Sequence, residues 1–163
     1  MITKFYPKTL FLFSIVLVLA LATSGCGINF NFRAVRGSGV LAEQTYPVQG
    51  FHAVSLTGVG EVTIELGVEE SLRIQAEDNL LEYITVEVVN GVLEIGVQEH
   101  TNILPTKSIT IAITAKSLDA LTLSGMGSFT SPGLAGENCR LAISGTGNMK
   151  VETADCTSLD ASV

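Results

Sequence analysis

Apolar and polar residues alternate along most of this chain with a period of two. In VTIEL (62–66), Val62, Ile64 and Leu66 fall on one side, Thr63 and Glu65 on the other. LRIQA (72–76), ITVEV (84–88), VLEIGV (92–97) and ITIAIT (109–114) continue the pattern, as do LTLSGMGSF (121–129), LAISGTGNM (141–149) and MKVET (149–153). Period two over many short segments predicts strands with one buried face. The best helical candidate, AEDNLLEYI (76–84), reads as a turn or a single helical turn. The predicted class is all-β.

Gly-x-Gly units punctuate the alternation: Gly37/Gly39, Gly58/Gly60, Gly125/Gly127 and Gly145/Gly147. The interval from Gly37 to Gly58 nearly equals that from Gly125 to Gly145, and the interval between Gly58 and Gly125 reads as three such steps. The flanks repeat too, in VSLTGVGEVTIE, LTLSGMGSFTSP and LAISGTGNMKVE. A repeat of roughly 20–22 residues, made of short strands and tight turns, predicts β-solenoid coils. Each coil buries its aliphatic face only when the next one stacks on it. The glycines are expected at equivalent corners, where positive φ costs them nothing. LDASV (159–163) lines up with LAISG (141–145) as the start of a further coil without a cap. The domain is therefore expected to be incomplete at its C-terminal end, or to self-associate through that uncapped coil.

A phosphate loop is the competing explanation for Gly-x-Gly. A dinucleotide fingerprint needs a third glycine and a following helix. Here the third-glycine positions hold Thr63, Thr130 and Lys150, and strand patterns follow. No Gly-Lys-Ser/Thr occurs. The glycines are structural turns on this reading, and no cofactor is expected.

The first residues carry Lys4 and Lys8, then an uninterrupted apolar segment (10–22), then TSGC (23–26). This is the layout of a secretory signal, and it is too short for a membrane-spanning helix of roughly 20 residues. Thr23-Ser24-Gly25-Cys26 resembles a bacterial lipobox, with Thr23 standing where that pattern prefers an aliphatic residue. The resemblance implies cleavage before Cys26 and lipid attachment to its sulfur. The expected organisation is a signal peptide over 1–25, a tether over 26–36 and a β-domain over 37–163. The partner expected through the anchor is the membrane, on the cell envelope or surface.

Losing Lys4 and Lys8 takes the formal charge from −7 to −9, which argues against nucleic acid as a partner. Cys139 and Cys156 remain in an export context that permits disulfides. Their near-equivalent positions before LAIS and LDAS leave two readings open, a bridge between neighbouring coils or two buried thiols.

The groups that could carry chemistry are sparse. His52 and His100 lie far apart and outside metal-type spacings, so surface or turn roles are expected. Glycoside hydrolysis needs two placed carboxylates, and Glu61, Glu65 and Glu87 fall at outward strand positions. Asp119 and Asp155 precede apolar runs as turn residues do. No Asp-rich calcium repeat occurs, so no metal is expected. Tyr46, Phe51, Tyr83 and Phe129 are too scattered to form a sugar-stacking platform, and read as packing residues.

Taken in order, RGSGVLAEQTYPVQGFHAVSLTGVGEVTIELG (36–67), LRIQAEDNLLEYITVEVVNGVLEIGV (72–97) and the LSGMGSF and ISGTGNM units resemble a known family. It is that of the bacterial putative auto-transporter adhesin, head GIN domain proteins. The matching features are Gly50–Phe51, Asp78–Leu81, and Asn90–Gly91 with Leu93 and Ile95. The resemblance implies a right-handed parallel β-helix-like fold on the cell envelope, and it supplies no catalytic residues. The function expected is non-enzymatic: an adhesive or structural envelope lipoprotein whose ligand is a polysaccharide or protein. The alternatives are a polysaccharide-processing β-helix enzyme and an envelope scaffold built by coil stacking.

Overall fold

The computed structural model describes residues 33–163. The signal segment, Cys26 and residues 27–32 of the tether lie outside the described residues. Strands β1 (Arg33–Arg36), β2 (Leu41–Tyr46), β3 (Ala53–Leu56), β4 (Val59–Leu66) and β5 (Ser71–Glu77) lead into one helical turn, α1 (Asp78–Leu81). Strands β6 (Ile84–Val89), β7 (Val92–Val97), β8 (Thr101–Leu104), β9 (Thr110–Ala115) and β10 (Ala120–Leu123) follow. Two long strands, β11 (Met126–Ile143) and β12 (Thr146–Ser162), complete the described chain. The fold is all-β, as the alternation predicts.

One large sheet runs β2-β5-β9-β4-β11-β10-β3-β7-β6, with β12 added on β11, while β1 and β8 form a separate pair. The long β11 turns this sheet back on itself. Its first residues pair with β4 and its last with β10. The inward rows of the two halves, Ile111–Val62–Phe129–Met149 and Ile95–Leu56–Leu123–Ile143, then close over one core. Phe129, Leu56, Ile95 and Leu123 are almost wholly buried.

Two sequence expectations are corrected. The strands are not uniformly parallel, because β2, β5 and β6 run antiparallel to their neighbours and the sheet is mixed. The cause at β6 is local. Asn90 and Gly91 take φ of 50° and 79°, the two-residue turn that folds a strand back on its predecessor. The long interval between Gly58 and Gly125 is also not three steps. Met126 lies beside Val59 and Ala120 beside Ala53, so that whole interval makes one step of the stack. Between these two layers the chain crosses to the far side of β3 and β4, lays down β5 to β9, and returns. Only from β11 to β12 is the step short, with one constant offset from the Met126–Thr146 pair to the Ala142–Ser162 pair.

Candidate functional site

The Gly-x-Gly units of the stack come together at one corner. Val59, Met126 and Thr146, the middle residues, are register neighbours, and so are Gly60, Gly127 and Gly147. A Cβ on Gly125 would overlap the carbonyl oxygen of Gly58, and one on Gly145 that of Gly125. Gly127 and Gly147 meet the carbonyls of Gly60 and Gly127 in the same way. The backbone of the preceding layer occupies the space a side chain would need. Positive φ is not the common factor, since Gly39, Gly127 and Gly147 have it while Gly37, Gly58, Gly60, Gly125 and Gly145 do not. Gly37 and Gly39 stand apart from this corner, over the carboxylate of Glu77.

The layer below Gly58 has no such corner. There β7 and β9 are separated by residues 98–109, which bulge outward as β8 and its flanking loops. The interruption leaves a groove of about 650 Å³ between β8 and the stacked corners. Val59, Val97, Ile103, Leu104 and Met126 give it aliphatic walls, and Thr57 and Asn102 supply polar groups. A smaller hollow of about 300 Å³ continues past Val59 and Met126 to Glu61 and Lys107. The Gly58/Gly60 and Gly125/Gly127 units are therefore structural corners that also line this groove and the hollow beside it.

Beside this groove the outward face of the stack is largely polar, with a hollow of about 210 Å³ at Thr63 and Ala112. Thr110, Glu61, Ser128 and Asn148 form one row across β9, β4, β11 and β12. Ala112, Thr63, Thr130 and Lys150 form the next. At a strand spacing of about 4.8 Å, four strands present a face roughly 14 Å wide.

Two carboxylates with lowered pKa serve structure. Glu77 is fully buried, and its carboxylate accepts from the N–H of Gly39 (2.7 Å) and from the N–H (2.8 Å) and hydroxyl (2.6 Å) of Thr106. The Thr106 hydroxyl, and then the N–H groups around it, hold Glu77 below the usual carboxylate range against the opposing effect of burial. Glu70 is lowered as well, chiefly by the Gly50 N–H at 3.0 Å, with Lys116 at 3.4 Å adding its charge. Sequence reading missed both. A carboxylate ending a strand before Asp-Asn, or closing Glu69–Glu70, has no local mark of burial.

Of the catalytic candidates, Glu61 and Glu65 line two separate hollows, of about 300 Å³ and 210 Å³, while Glu87 stays on an outward face. Glu87 stands directly opposite Glu94 across β6 and β7. His52 pairs with Asp119 through Nδ1 at 2.9 Å, tying β3 to β10, and His100 sits in a turn at φ 59°. Asp155 lies exposed on β12. Cys139 and Cys156 are joined by a disulfide with Cα atoms 5.9 Å apart. Cys156 lies beside Gly136 in the register, so the bridge spans a corner between β11 and β12. Among the described residues, no three of His, Cys, Asp and Glu gather as a metal site would require.

A family model described as putative auto-transporter adhesin, head GIN domain, matches residues 50–163. No curated protein matches. A crystal structure of a putative adhesin from Bacteroides fragilis NCTC 9343 is similar at TM-score 0.72 and 23% identity, over 79% of this chain and 61% of that one. One of a putative lipid binding protein from Parabacteroides distasonis ATCC 8503 is similar at 0.62 and 16%, over 79% and 65%. A putative adhesin from the same organism is similar at 0.55 and 17%, over 79% and 68%. At these identities the likeness speaks for the fold. The chain spans about three-fifths of the length of the Bacteroides protein.

Proposed function

Because this chain belongs to the putative auto-transporter adhesin, head GIN domain family, whose model matches residues 50–163, we propose that it is an exported, non-enzymatic binding module of the cell envelope. Its leader ends before Cys26, the lipid on Cys26 holds it at the membrane, and the residues between Cys26 and β1 tether the domain, the last four of the expected tether being strand β1. The stack from β3 through β12 is read as right-handed solenoid coils, a reading supported by the constant register offset between β11 and β12.

The observation that carries the adhesive role is the set of outward polar rows that register brings together, with Thr63, Thr130, Ser128 and Asn148. Hydroxyls and an amide at strand spacing offer donors and acceptors in a plane, which suits an extended envelope polysaccharide. Replacing Thr63 and Thr130 with Glu puts two like charges on that plane without touching the core. The double variant is expected to lose at least tenfold in retention on isolated envelope polysaccharide, about the effect of 1.4 kcal/mol. Equal retention of variant and parent would remove this face from the function.

A second reading is favoured by the aliphatic lining of the groove between β8 and the corner. An apolar ligand would seat there, in line with the lipid-binding name given to one structural neighbour. Binding in the groove would survive the Thr63/Thr130 change, which separates the two readings.

A further inference from the structure

We propose that the end of the domain carrying β1 is a membrane-resting surface, seated on the headgroups of an anionic bilayer. The proposal rests on the lipid-anchor reading of Cys26. Strand β1 begins at Arg33, only a short stretch of chain after Cys26. A chain of that length reaches at most about 25 Å. A lipid on Cys26 therefore keeps the β1 end of the domain close to the bilayer, whatever the tether's conformation.

The surface at that end is unlike the rest of an acidic protein. The β1–β8 register sets Arg36 beside Leu104 and Ala34 beside Asn102. The Gly37 N–H then bonds the Leu104 carbonyl at 3.0 Å. Just beyond, the buried Glu77 carboxylate takes the N–H of Gly39 and, from the other side, the N–H of Thr106. One carboxylate thus pins two loops together, and the residues that follow, Val40 and Lys107, are fixed near the same point. Val40, Leu41 and Leu104 are 59%, 47% and 47% exposed. These three exposed aliphatics lie on the segments that the Glu77 junction and the β1–β8 pairing hold together.

Charge points to the same partner. The chain has seven basic residues beyond the leader, and three of them, Arg33, Arg36 and Lys107, are here. Arg36 and Lys107 are exposed, while the Arg33 guanidinium lies 5.4 Å from the centroid of the Tyr83 ring. Exposed acids border this end as well: Asp78, which accepts from the Ser38 hydroxyl and from the Asn79 N–H at 2.7 Å, and Glu82 and Glu99, next in sequence to the Tyr83 and His100 that contact Arg33. Aliphatics that enter the interface, bordered by cations that meet anionic headgroups, are what a second membrane signal beside a lipid anchor consists of.

The test uses the full protein in phosphatidylcholine vesicles, either pure or with one lipid in three replaced by phosphatidylglycerol, read by backbone hydrogen exchange. Amides of residues 34–41 and 101–108 are expected to exchange several-fold more slowly with the anionic lipid, and salt should remove the difference. Arg36→Glu with Lys107→Glu should abolish it, and Leu41→Ser should weaken it. Unchanged protection in β11 and β12 checks that each variant is folded, and Arg36→Gln with Lys107→Gln serves if the charge reversal unfolds it. Identical exchange in both lipids overturns the proposal. The mass of the N-terminal peptide reads the anchor separately. A lipid on Cys26 without protection leaves the anchor standing and removes the surface. If Cys26 carries no lipid, flotation of the exported chain with phosphatidylglycerol vesicles, roughly fivefold weaker for each basic side chain lost, keeps the surface, and no flotation overturns it.

Discussion

The corner glycines give the sharpest quantitative expectation, because equivalent positions face different neighbours. At Gly125 an added Cβ overlaps the Gly58 oxygen and lies 2.8 Å from the Thr57 oxygen, closer than the 3.0 Å at which something must shift. Both atoms are backbone, so relief requires the two layers to part. Three hydrogen bonds hold the layers there: Ser124 N–H to Leu56 O (2.9 Å), Gly125 N–H to Leu56 O (3.1 Å) and Met126 N–H to Gly58 O (3.0 Å). A separation of about 1 Å takes all three out of range, at roughly 1 kcal/mol each. Gly125→Ala should therefore destabilise by about 3 kcal/mol. At Gly58 the same Cβ meets only Val97 Cγ2, at 3.4 Å, and backbone of Gly96 beyond it, and φ is not positive. Gly58→Ala should be neutral or stabilise by up to about 1 kcal/mol through the unfolded state. Gly50, at φ 76° with nothing within 4 Å, isolates the conformational cost alone, about 1 kcal/mol.

Urea unfolding followed by circular dichroism distinguishes these cases. With a slope of about 2 kcal/mol per molar, Gly125→Ala should lower the midpoint by roughly 1.5 M, Gly50→Ala by about 0.5 M, and Gly58→Ala hardly at all. If Gly58→Ala falls as far as Gly125→Ala, the glycines are kept for backbone conformation and the close-approach argument is wrong.

Two further outcomes follow from the same geometry. Replacing Cys139 and Cys156 with Ala opens a covalent loop of sequence separation 17, worth about 3 kcal/mol by loop-closure entropy. The thermal midpoint should drop by roughly 10 °C, and a reductant should lower the parent but leave the variant unchanged. The pH dependence follows from Glu77, whose pKa is lowered on folding. Its contribution is present above the unfolded carboxylate value, about 4.3, and is lost as pH falls through the lower folded value. Between the unfolded value of about 4.3 and the lower folded one, the loss of stability with falling pH should be shallower for Glu77→Gln, which should also be the less stable protein at pH 7. An acid limb identical to the parent's would remove Glu77 as a pin.

How much of this was legible in the sequence depends on the range of each interaction. The alternation named most strands because the period of two is a property of the strand itself, but β1, β2 and β8 carry no such pattern and were missed. Phe129, Val62 and Ile111 point inward in the structure as their spacing requires. The single turn of α1 and the Asn90–Gly91 turn were equally local. The neighbour of a repeat was not. Gly58 and Gly125 look like members of one series whether the chain between them makes three steps or one. The step count depends on where the intervening chain goes, and that is settled by which buried faces cover one another. The groove is of this kind, since it exists where a layer lacks the corner its neighbours have.

By itself the sequence determined the all-β class and most of the inward faces, because local pattern encodes each of these. Tertiary structure alone decided that the sheet is mixed, that Glu77 is a buried pin, and that Cys139 reaches Cys156. It also decided that the corner glycines are required by the backbone above or below them. Each of those is a meeting of segments distant in the chain, and spacing along a sequence carries no record of such a meeting until the core has closed.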